Sequence, residues 1–295
     1  MKRYFLFLVV FLLAFEGKSQ VSEIGLCGGV SFYMGDLNPK GVFKGSRPAG
    51  GLVYRYNINP RLAVKAVALF GSMQASDADN GNLKRNLNFR SPLSELSAQM
   101  ELNFMRLYNE NGRNIFTPYL FVGVGIFSFN PQTELRLQWY DLQPLGTEGQ
   151  DLNSTDNDTK IVYDQKRYSL TGVSIPFGLG ARVNFLKYYS IGLEWGFRKT
   201  FTDYLDDVSG NYVRRDFLIE KRNMDIADLS DRTTSKLPDG KEDYHKAGSM
   251  RGNNSKTTDW YSFAVLTFTF KLNYSKDCQA NTANPSQKKP KKPAR

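Results

Sequence analysis

The sequence predicts an all-β protein, an eight-stranded antiparallel up-and-down transmembrane β-barrel with long outer loops. Three observations favour this fold: an N-terminal segment typical of a secretory signal peptide, runs in which apolar and polar residues alternate, and connections that alternate between short and long. The 295 residues include 21 Phe and 16 Tyr but only 2 Cys and 1 His, which excludes Cys/His zinc modules and disulfide-stapled scaffolds.

The first segment indicates export. Two basic residues precede the apolar run 4–15, and Gly17 and Ser19 follow at the −3 and −1 positions that signal peptidases accept. The alternative, a membrane anchor, is too short, because twelve helical residues span about 18 Å of a ~30 Å hydrocarbon core. We therefore predict a signal peptide at 1–19 and a mature chain that starts at Gln20.

The first three predicted strands share an apolar face opposite a polar one. A tight turn around Asn59 joins the second to the third, as expected for a hairpin. The apolar members are Ile24, Leu26, Val30, Phe32 and Met34; Leu52, Tyr54, Tyr56 and Ile58; and Leu62, Val64, Ala66 and Phe70.

Residues 91–108 fit two structures. Leu93, Leu96 and Met100 also satisfy helical spacing, and the Ser-Pro pair at 91–92 resembles a helix start. The segment nevertheless alternates strictly between apolar residues at even positions 96–104 and polar residues at odd positions 95–103. We interpret it as the fourth strand.

The remaining four strands complete the count of eight. The fifth, 118–129, is apolar on both faces. The sixth and seventh, 174–185 and 189–198, form a long hairpin, and the last, 264–272, sets Ala, Leu and Phe against Thr and Lys.

The connections give the expected orientation. Those around Asn59, Asn111 and Lys187 are short, whereas those after strands one, three, five and seven span about 13, 19, 40 and 55 residues. In outer-membrane barrels the short turns face the periplasm and the long loops face outside. We therefore expect an outer-membrane protein whose short turns and termini are periplasmic.

A closed barrel also predicts which face looks inward. Hydrocarbon offers no hydrogen-bond partners, so a spanning sheet must have no free edge, and its polar face must line the interior. An interior of eight strands is just wide enough for side chains to fill, which predicts a plug and not a pore. The predicted interior ion network comprises Glu23, Arg55, Lys65, Glu95, Glu101, Arg182, Glu194, Arg198 and Lys271.

The alternative is a soluble barrel or sandwich in which this charged face meets solvent. Strand length, the signal peptide and a set of aromatic residues suited to membrane interfaces favour the membrane barrel. These interfacial candidates are Tyr54, Tyr56, Tyr189, Trp195, Trp260 and Tyr261.

The sequence offers no catalytic, metal-ligating or cofactor-binding residues. A lipid-processing enzyme would need a histidine base, and the only histidine, His245, lies among charged residues of the longest loop, where a solvated position is expected. Acidic groups at 77–80 and 203–207 do not match a calcium-binding loop. We interpret the first as a turn and the second as local backbone caps. We expect no enzyme and no cofactor.

The net charge of +10 is concentrated at the ends of the chain. Residues 275–295 carry six basic groups against Asp277 and contain no large apolar residue after Cys278, which predicts a disordered basic periplasmic tail. The body at 20–274 is nearly balanced, so we expect no binding of nucleic acid. Whether Cys27 and Cys278 pair is left open by the sequence.

Several segments resemble the PorG-like outer-membrane β-barrel proteins of the type IX secretion system. They are 22–25, 33–37, 54–61, 117–125, 175–180 and 201–210. The resemblance implies a non-enzymatic component that supports protein export and gliding motility, in contact with a periplasmic ring lipoprotein and its partner subunit. It implies no ligand or catalytic residues. The alternative function is a small adhesion or surface-interaction barrel acting through its long outer loops.

Overall fold

The computed structural model describes residues 21–39, 43–105, 116–185, 188–252 and 257–272. The predicted signal peptide at 1–19, the predicted tail at 275–295, Cys278 and the turn positions Asn111 and Lys187 lie outside these residues.

Eight long antiparallel strands close into a barrel, as predicted. Each pairs with the next along the chain, β3 pairs with β4, and β1 pairs with β12, so the barrel has no free edge. The strands are β1 (Val21–Met34), β2 (Arg47–Asn57), β3 (Leu62–Ser76), β4 (Asn88–Asn103), β5 (Phe116–Phe129), β6 (Gln132–Leu135), β7 (Gln138–Asp141), β8 (Ser154–Thr155), β9 (Val162–Tyr163), β10 (Thr171–Phe185), β11 (Tyr189–Thr200) and β12 (Trp260–Lys271). The short strands β6 to β9 lie outside the barrel wall, in the loops.

The ambiguous segment is a strand. Residues 88–103 form β4, in which buried and exposed positions alternate along its whole length. The helical alternative is wrong because each residue of β4 pairs across to β3 or β5, with Ala98 opposite both Ala66 and Val124. The Leu and Met spacing that suggested a helix reflects large residues on both faces of this strand.

The outward face of the wall is an apolar band. Leu26, Val124 and Leu193 point away from the barrel and are 58–63% exposed. On β4 the outward positions from Pro92 to Leu102 are ten residue steps apart, about 33 Å along the strand and about 25 Å along the axis at a ~40° tilt. This height matches the apolar band of outer-membrane barrels.

Two expectations about outward residues need correction. Tyr261 was expected at a membrane interface, but its odd position on β12 turns it inward, where it is fully buried. Phe32 has the outward register of β1, yet it is also fully buried, because the ring of Phe43 from the first loop lies 5.1 Å from it and 5.6 Å from that of Trp195.

The interior has two layers. The half nearer the turn that joins β2 to β3, here called the turn end, holds most of the charged residues. The half nearer the long loops, the loop end, holds an apolar core that the sequence analysis did not predict. Its members include Leu69, Met73, Phe89, Leu93, Phe127, Phe129 and Phe263.

The loops fold into a cap over the loop end. It contains α1 (Asp77–Asn80), α2 (Arg215–Lys221), α3 (Met224–Ser230) and a small apolar cluster in which the rings of Tyr163 and Phe217 stack at 5.6 Å. The loop after β3 is shorter than expected, at 77–87, because β3 and β4 continue beyond the apolar band. No helix among the described residues is long and apolar enough to cross a membrane.

Candidate functional site

All nine residues of the predicted ion network lie in the barrel interior. Each is between 0 and 5% exposed, as are the inward residues Asn57, Gln99 and Asn103 beside them. The strands position them by simple alternation, since each occupies an inward-facing position of β1, β2, β3, β4, β10, β11 or β12.

Two glutamates organise the turn end. Glu101 lies 3.1 Å from Arg55 Nε, 3.0 Å from Arg182 Nη2 and 3.9 Å from Lys65 Nζ. Glu23 lies 3.0 Å from Arg55 Nη1 and 3.5 Å from Arg182 Nη1. Two carboxylates therefore share two guanidinium groups, and each arginine bridges both of them.

Hydrogen bonds complete the shell of Glu23. The hydroxyl of Thr269 donates to one carboxylate oxygen at 3.0 Å, and the amide of Asn57 donates to the other at 3.1 Å. Lys271 stands directly opposite Glu23 across the β1–β12 pair. These donors replace the hydration that the Glu23 carboxylate loses on burial.

Most of the ion pairs join strands that are not neighbours. Lys65 on β3 bonds Glu194 on β11, and these two strands are diametrically opposite in the eight-stranded wall. Tyr119 donates a hydrogen bond to the same Glu194 at 2.9 Å. Because these contacts cross the lumen, they fill its centre and hold opposite walls together.

A separate pair lies nearer the loop end. Arg198 Nε is 3.1 Å from Glu95 Oε2, and the Tyr261 hydroxyl donates to the same oxygen at 2.8 Å. The Arg198 guanidinium also lies 4.8 Å from the centre of the Phe263 ring. This pair is the boundary between the charged layer and the apolar core.

Glycines make room for the aromatic part of the plug. A Cβ on Gly180 would lie 2.4 Å from the Tyr119 ring, and one on Gly178 would lie 2.3 Å from a backbone oxygen of Trp195 and 2.8 Å from the Phe121 ring. The Gly-rich faces of β10 and β11 therefore accept rings from β5 that no larger residue would admit.

A carboxylate cluster lies beneath the cap. The Tyr33 hydroxyl is 2.6 Å from Asp206 and 2.8 Å from Asp259. The single phenol proton is therefore shared between two carboxyl groups. Burial, followed by repulsion from neighbouring carboxylates, raises the pKa of both Asp206 and Asp259 well above the usual range.

Arg251 ties the two longest loops together. It donates to the backbone oxygens of Ser230 at 3.0 Å and Asp207 at 2.5 Å, and to Glu148 at 3.2 Å. Burial raises the pKa of Asp207 to about 6, although the Arg251 charge opposes this shift. Burial also raises the pKa of Asp203 to about 7.

The acidic segments 77–80 and 203–207 form more contacts with other parts of the loops than the sequence analysis predicted. Asp206 does cap locally, accepting from the Val208 N–H at 3.0 Å, but Asp207 accepts from Thr147 and Tyr168 of another loop. Asp77 is buried in an ion pair with Arg85 at 2.7 Å.

His245 is not the solvated side chain that we expected. Its Nδ1 lies 3.0 Å from Asp231, and its ring stacks on Tyr212 at 4.2 Å. Within the described part of the chain, no group of three or more His, Cys, Asp or Glu residues converges as metal ligands do. The interior geometry therefore defines a plugged β-barrel with an apolar outer band and a capped loop end.

Comparisons with known proteins give remote similarities. A family model described as "Domain of unknown function (DUF6089)" matches residues 2–139 and ends within β7. No curated protein gives a significant match.

Three solved structures are similar. Ail, the attachment invasion locus protein of Yersinia pestis, solved in complex with the heparin analogue sucrose octasulfate, is 11% identical, with 86% of this chain and 97% of that chain covered at a TM-score of 0.35. The N-terminal β-barrel domain of Pseudomonas aeruginosa OprF is 9% identical, with 87% and 100% covered at 0.36. The outer membrane protein OprG from the same organism is 11% identical, with 86% and 96% covered at 0.35.

Proposed function

We propose that this protein is a non-enzymatic outer-membrane β-barrel that works through its surfaces and not as a pore. The observation that carries this proposal is that ion pairs span the interior of the barrel. Lys65 contacts Glu194 on the opposite wall, and Arg182 contacts both Glu23 and Glu101. A solute would have to break several buried ion pairs to pass.

The wall itself supports membrane placement. Its outward side chains form an apolar band about 25 Å high at the usual strand tilt, which would be costly to expose to water. All charged members of the network point away from that band. The predicted signal peptide and the periplasmic orientation of the short turns fit the same placement.

The specific role that we propose is a structural component of the type IX secretion system. The resemblance of segments such as 33–37 and 201–210 to PorG-like barrels supports it. The proposed partners are the periplasmic ring lipoprotein and its partner subunit, gripped by the short turns and the basic tail. Export of proteins with a C-terminal secretion domain, and gliding where cells glide, would depend on this contact.

Affinity purification tests this role. The tagged full-length protein, extracted in mild detergent, should recover both ring subunits, and deletion of its gene should stop export of the cargo. A variant that lacks residues 275–295 but keeps the barrel should recover less ring. Recovery of the barrel alone, together with normal export in the deletion strain, would refute the role.

A second candidate function is surface interaction through the loops. Its supporting observation is the β6–β7 hairpin, whose tip presents Leu137 at 92% exposure with a φ of 66°. Arg136 beside it is held by Asp225 and Asp228 at 2.7 and 2.6 Å. Replacing Leu137 by Ser should reduce surface binding and leave export intact if this candidate is correct. Loss of export with unchanged surface binding would favour the secretion role.

A further inference from the structure

A polar cleft of about 420 Å³ lies on the outside of the barrel wall at the loop end. Gln74 on β3 and Arg90 on β4 face each other across the sheet and form its floor. The first loop, α1 and the β6–β7 hairpin provide its sides, the last through Trp139. We call it the rim cleft.

The rim cleft lies just above the apolar band. Arg90 is two positions beyond Pro92, the last exposed residue of the band on β4, and Gln74 is four positions beyond the exposed Phe70. At about 3.3 Å per residue the cleft is therefore within roughly 15 Å of the hydrocarbon edge. This is the level of lipid head groups.

The cleft is basic. Lys44, Arg47 and Arg90 line it against one acid, Asp79. Lys44 is engaged by the Asp79 backbone oxygen and by Asn80. Among the described residues neither arginine forms an ion pair, and Arg47 Nε donates a 3.4 Å hydrogen bond to the Ser72 hydroxyl.

Arg90 is oriented by stacking. Its guanidinium carbon lies 3.3 Å from the centre of the Trp139 ring, so the flat group is held against the indole. Stacking leaves the N–H edge directed in the plane of the group, where it can donate two parallel hydrogen bonds to a phosphate or carboxylate. Two arginines without carboxylate partners thus lie on one surface.

The rest of the lining suits a sugar. The asparagine amides that line it are fixed by hydrogen bonds within the protein, Asn38 and Asn80 as donors to backbone oxygens and Asn88 as an acceptor from Thr133. The Gln74 amide on the floor can bond a hydroxyl as donor and as acceptor. The half-exposed ring of Trp139 adds an apolar face. The volume lies within the range of small-molecule sites and greatly exceeds that of an inorganic anion.

We propose that the rim cleft binds a phosphorylated saccharide, with Arg47 and Arg90 on the phosphate and the Gln74 amide on a sugar hydroxyl. Its height on the outer wall favours the head group of an anionic glycolipid in the surrounding leaflet. A soluble sugar phosphate has the same chemistry. The proposal stands independently of any role in secretion.

Binding measurements on the full-length protein in detergent test it. The probes are lipid A, its deacylated disaccharide bisphosphate, the unphosphorylated disaccharide and inorganic phosphate, measured by native mass spectrometry and calorimetry. Lipid A should bind at least a hundredfold tighter than inorganic phosphate, and the neutral disaccharide should not bind. If only lipid A binds, the ligand is the membrane glycolipid. If the deacylated disaccharide bisphosphate binds equally well, the cleft also accepts a soluble sugar phosphate. Equal affinity for the neutral disaccharide, or binding of no probe, would overturn the proposal.

Variants assign the binding to this cleft. The double substitution Arg47→Gln with Arg90→Gln should weaken lipid A binding at least tenfold. Lys199→Gln is the matched control, because Lys199 is a basic residue exposed on the outer wall at the loop end of β11, outside the rim cleft. Arg90→Lys keeps the charge but loses the planar fork, so it should give an intermediate loss even if the double variant does not fold. Equal weakening by Lys199→Gln, or full affinity in Arg90→Lys and the folded double variant, would contradict the assignment.

Discussion

Removing one carboxylate from the lumen should destabilise the barrel strongly. Glu101 contacts Arg55, Arg182 and Lys65 within 3.9 Å, and all four side chains are at most 1% exposed. Glu101→Gln leaves those three cations with fewer negative partners and no access to water. Loss of one partner of a buried ion pair costs about 3–5 kcal/mol, and we expect a loss in unfolding free energy within this range.

A double-mutant cycle measures the interaction between Glu101 and Arg182 separately from the effect of each substitution alone. Arg182→Met alone removes a cation from a network with five bases and four acids, so it should cost less than Glu101→Gln. The double variant should cost less than the sum of the singles, with a coupling of about 1–3 kcal/mol, because it removes both charges together. Urea unfolding of the protein in lipid vesicles, followed by tryptophan fluorescence, gives all four free energies.

An exposed pair supplies the control. Lys241 and Asp239 are 3.3 Å apart, but their side chains are 81% and 53% exposed, so Asp239→Asn should leave the free energy of unfolding almost unchanged. If Glu101→Gln were as mild as this control, or if the two lumen substitutions were additive, the network would not hold the opposite walls together.

Three further predictions concern the band, the glycine face and the cap. Leu193→Arg should cost about 2–4 kcal/mol in vesicles, whereas Leu137→Arg on the exposed loop tip should cost little; equal costs would refute membrane placement of the band. Gly178→Ala should lower stability by about 1–3 kcal/mol, whereas Gly28→Ala, where an added Cβ meets nothing within 4 Å, should not; equal melting temperatures would refute the packing. Since burial raises the pKa of Asp203 to about 7, the stability that this group contributes is fully present below pH ~4 and is lost as the pH rises through 7. Burial also raises the pKa of Asp207 to about 6, so Asp203→Asn should reduce, and not abolish, the difference in loop proteolysis between pH 5 and pH 8; an undiminished difference would contradict the reasoning.

The strands were predictable because lipid and lumen impose opposite requirements on successive residues. Within the apolar band the outward side chains of β4 are apolar apart from Ser94, so alternation revealed β4 despite its helical spacing. Beyond the band the outward residues Gln74 and Arg90 are polar and the inward Phe89 is apolar, so the alternation is inverted. For this reason the sequence analysis placed the end of β3 too early and the start of β4 too late.

The two-layer interior was less predictable. The charged layer follows from polar residues at inward positions, but which charges meet depends on strand order and shear, so the contact of Lys65 with Glu194 has no local signal. The apolar layer did leave one: the fifth strand is apolar on both faces, and its inward Phe127 and Phe129 lie in that core. The cap contacts of Asp207 and Arg251 join distant loops and carry no periodic pattern.

The seam between the first and last strands gives the charge network a part in assembly. Glu23 lies on β1 at this seam, where it accepts from Thr269 of β12 and contacts Arg55 of β2 and Arg182 of β10. Its shell is therefore complete only after the last strand has been added. In a chain that ends before β12, the Glu23 carboxylate would lie at an open sheet edge without its donor from Thr269. The closed barrel is therefore more stable than any intermediate that lacks the last strand.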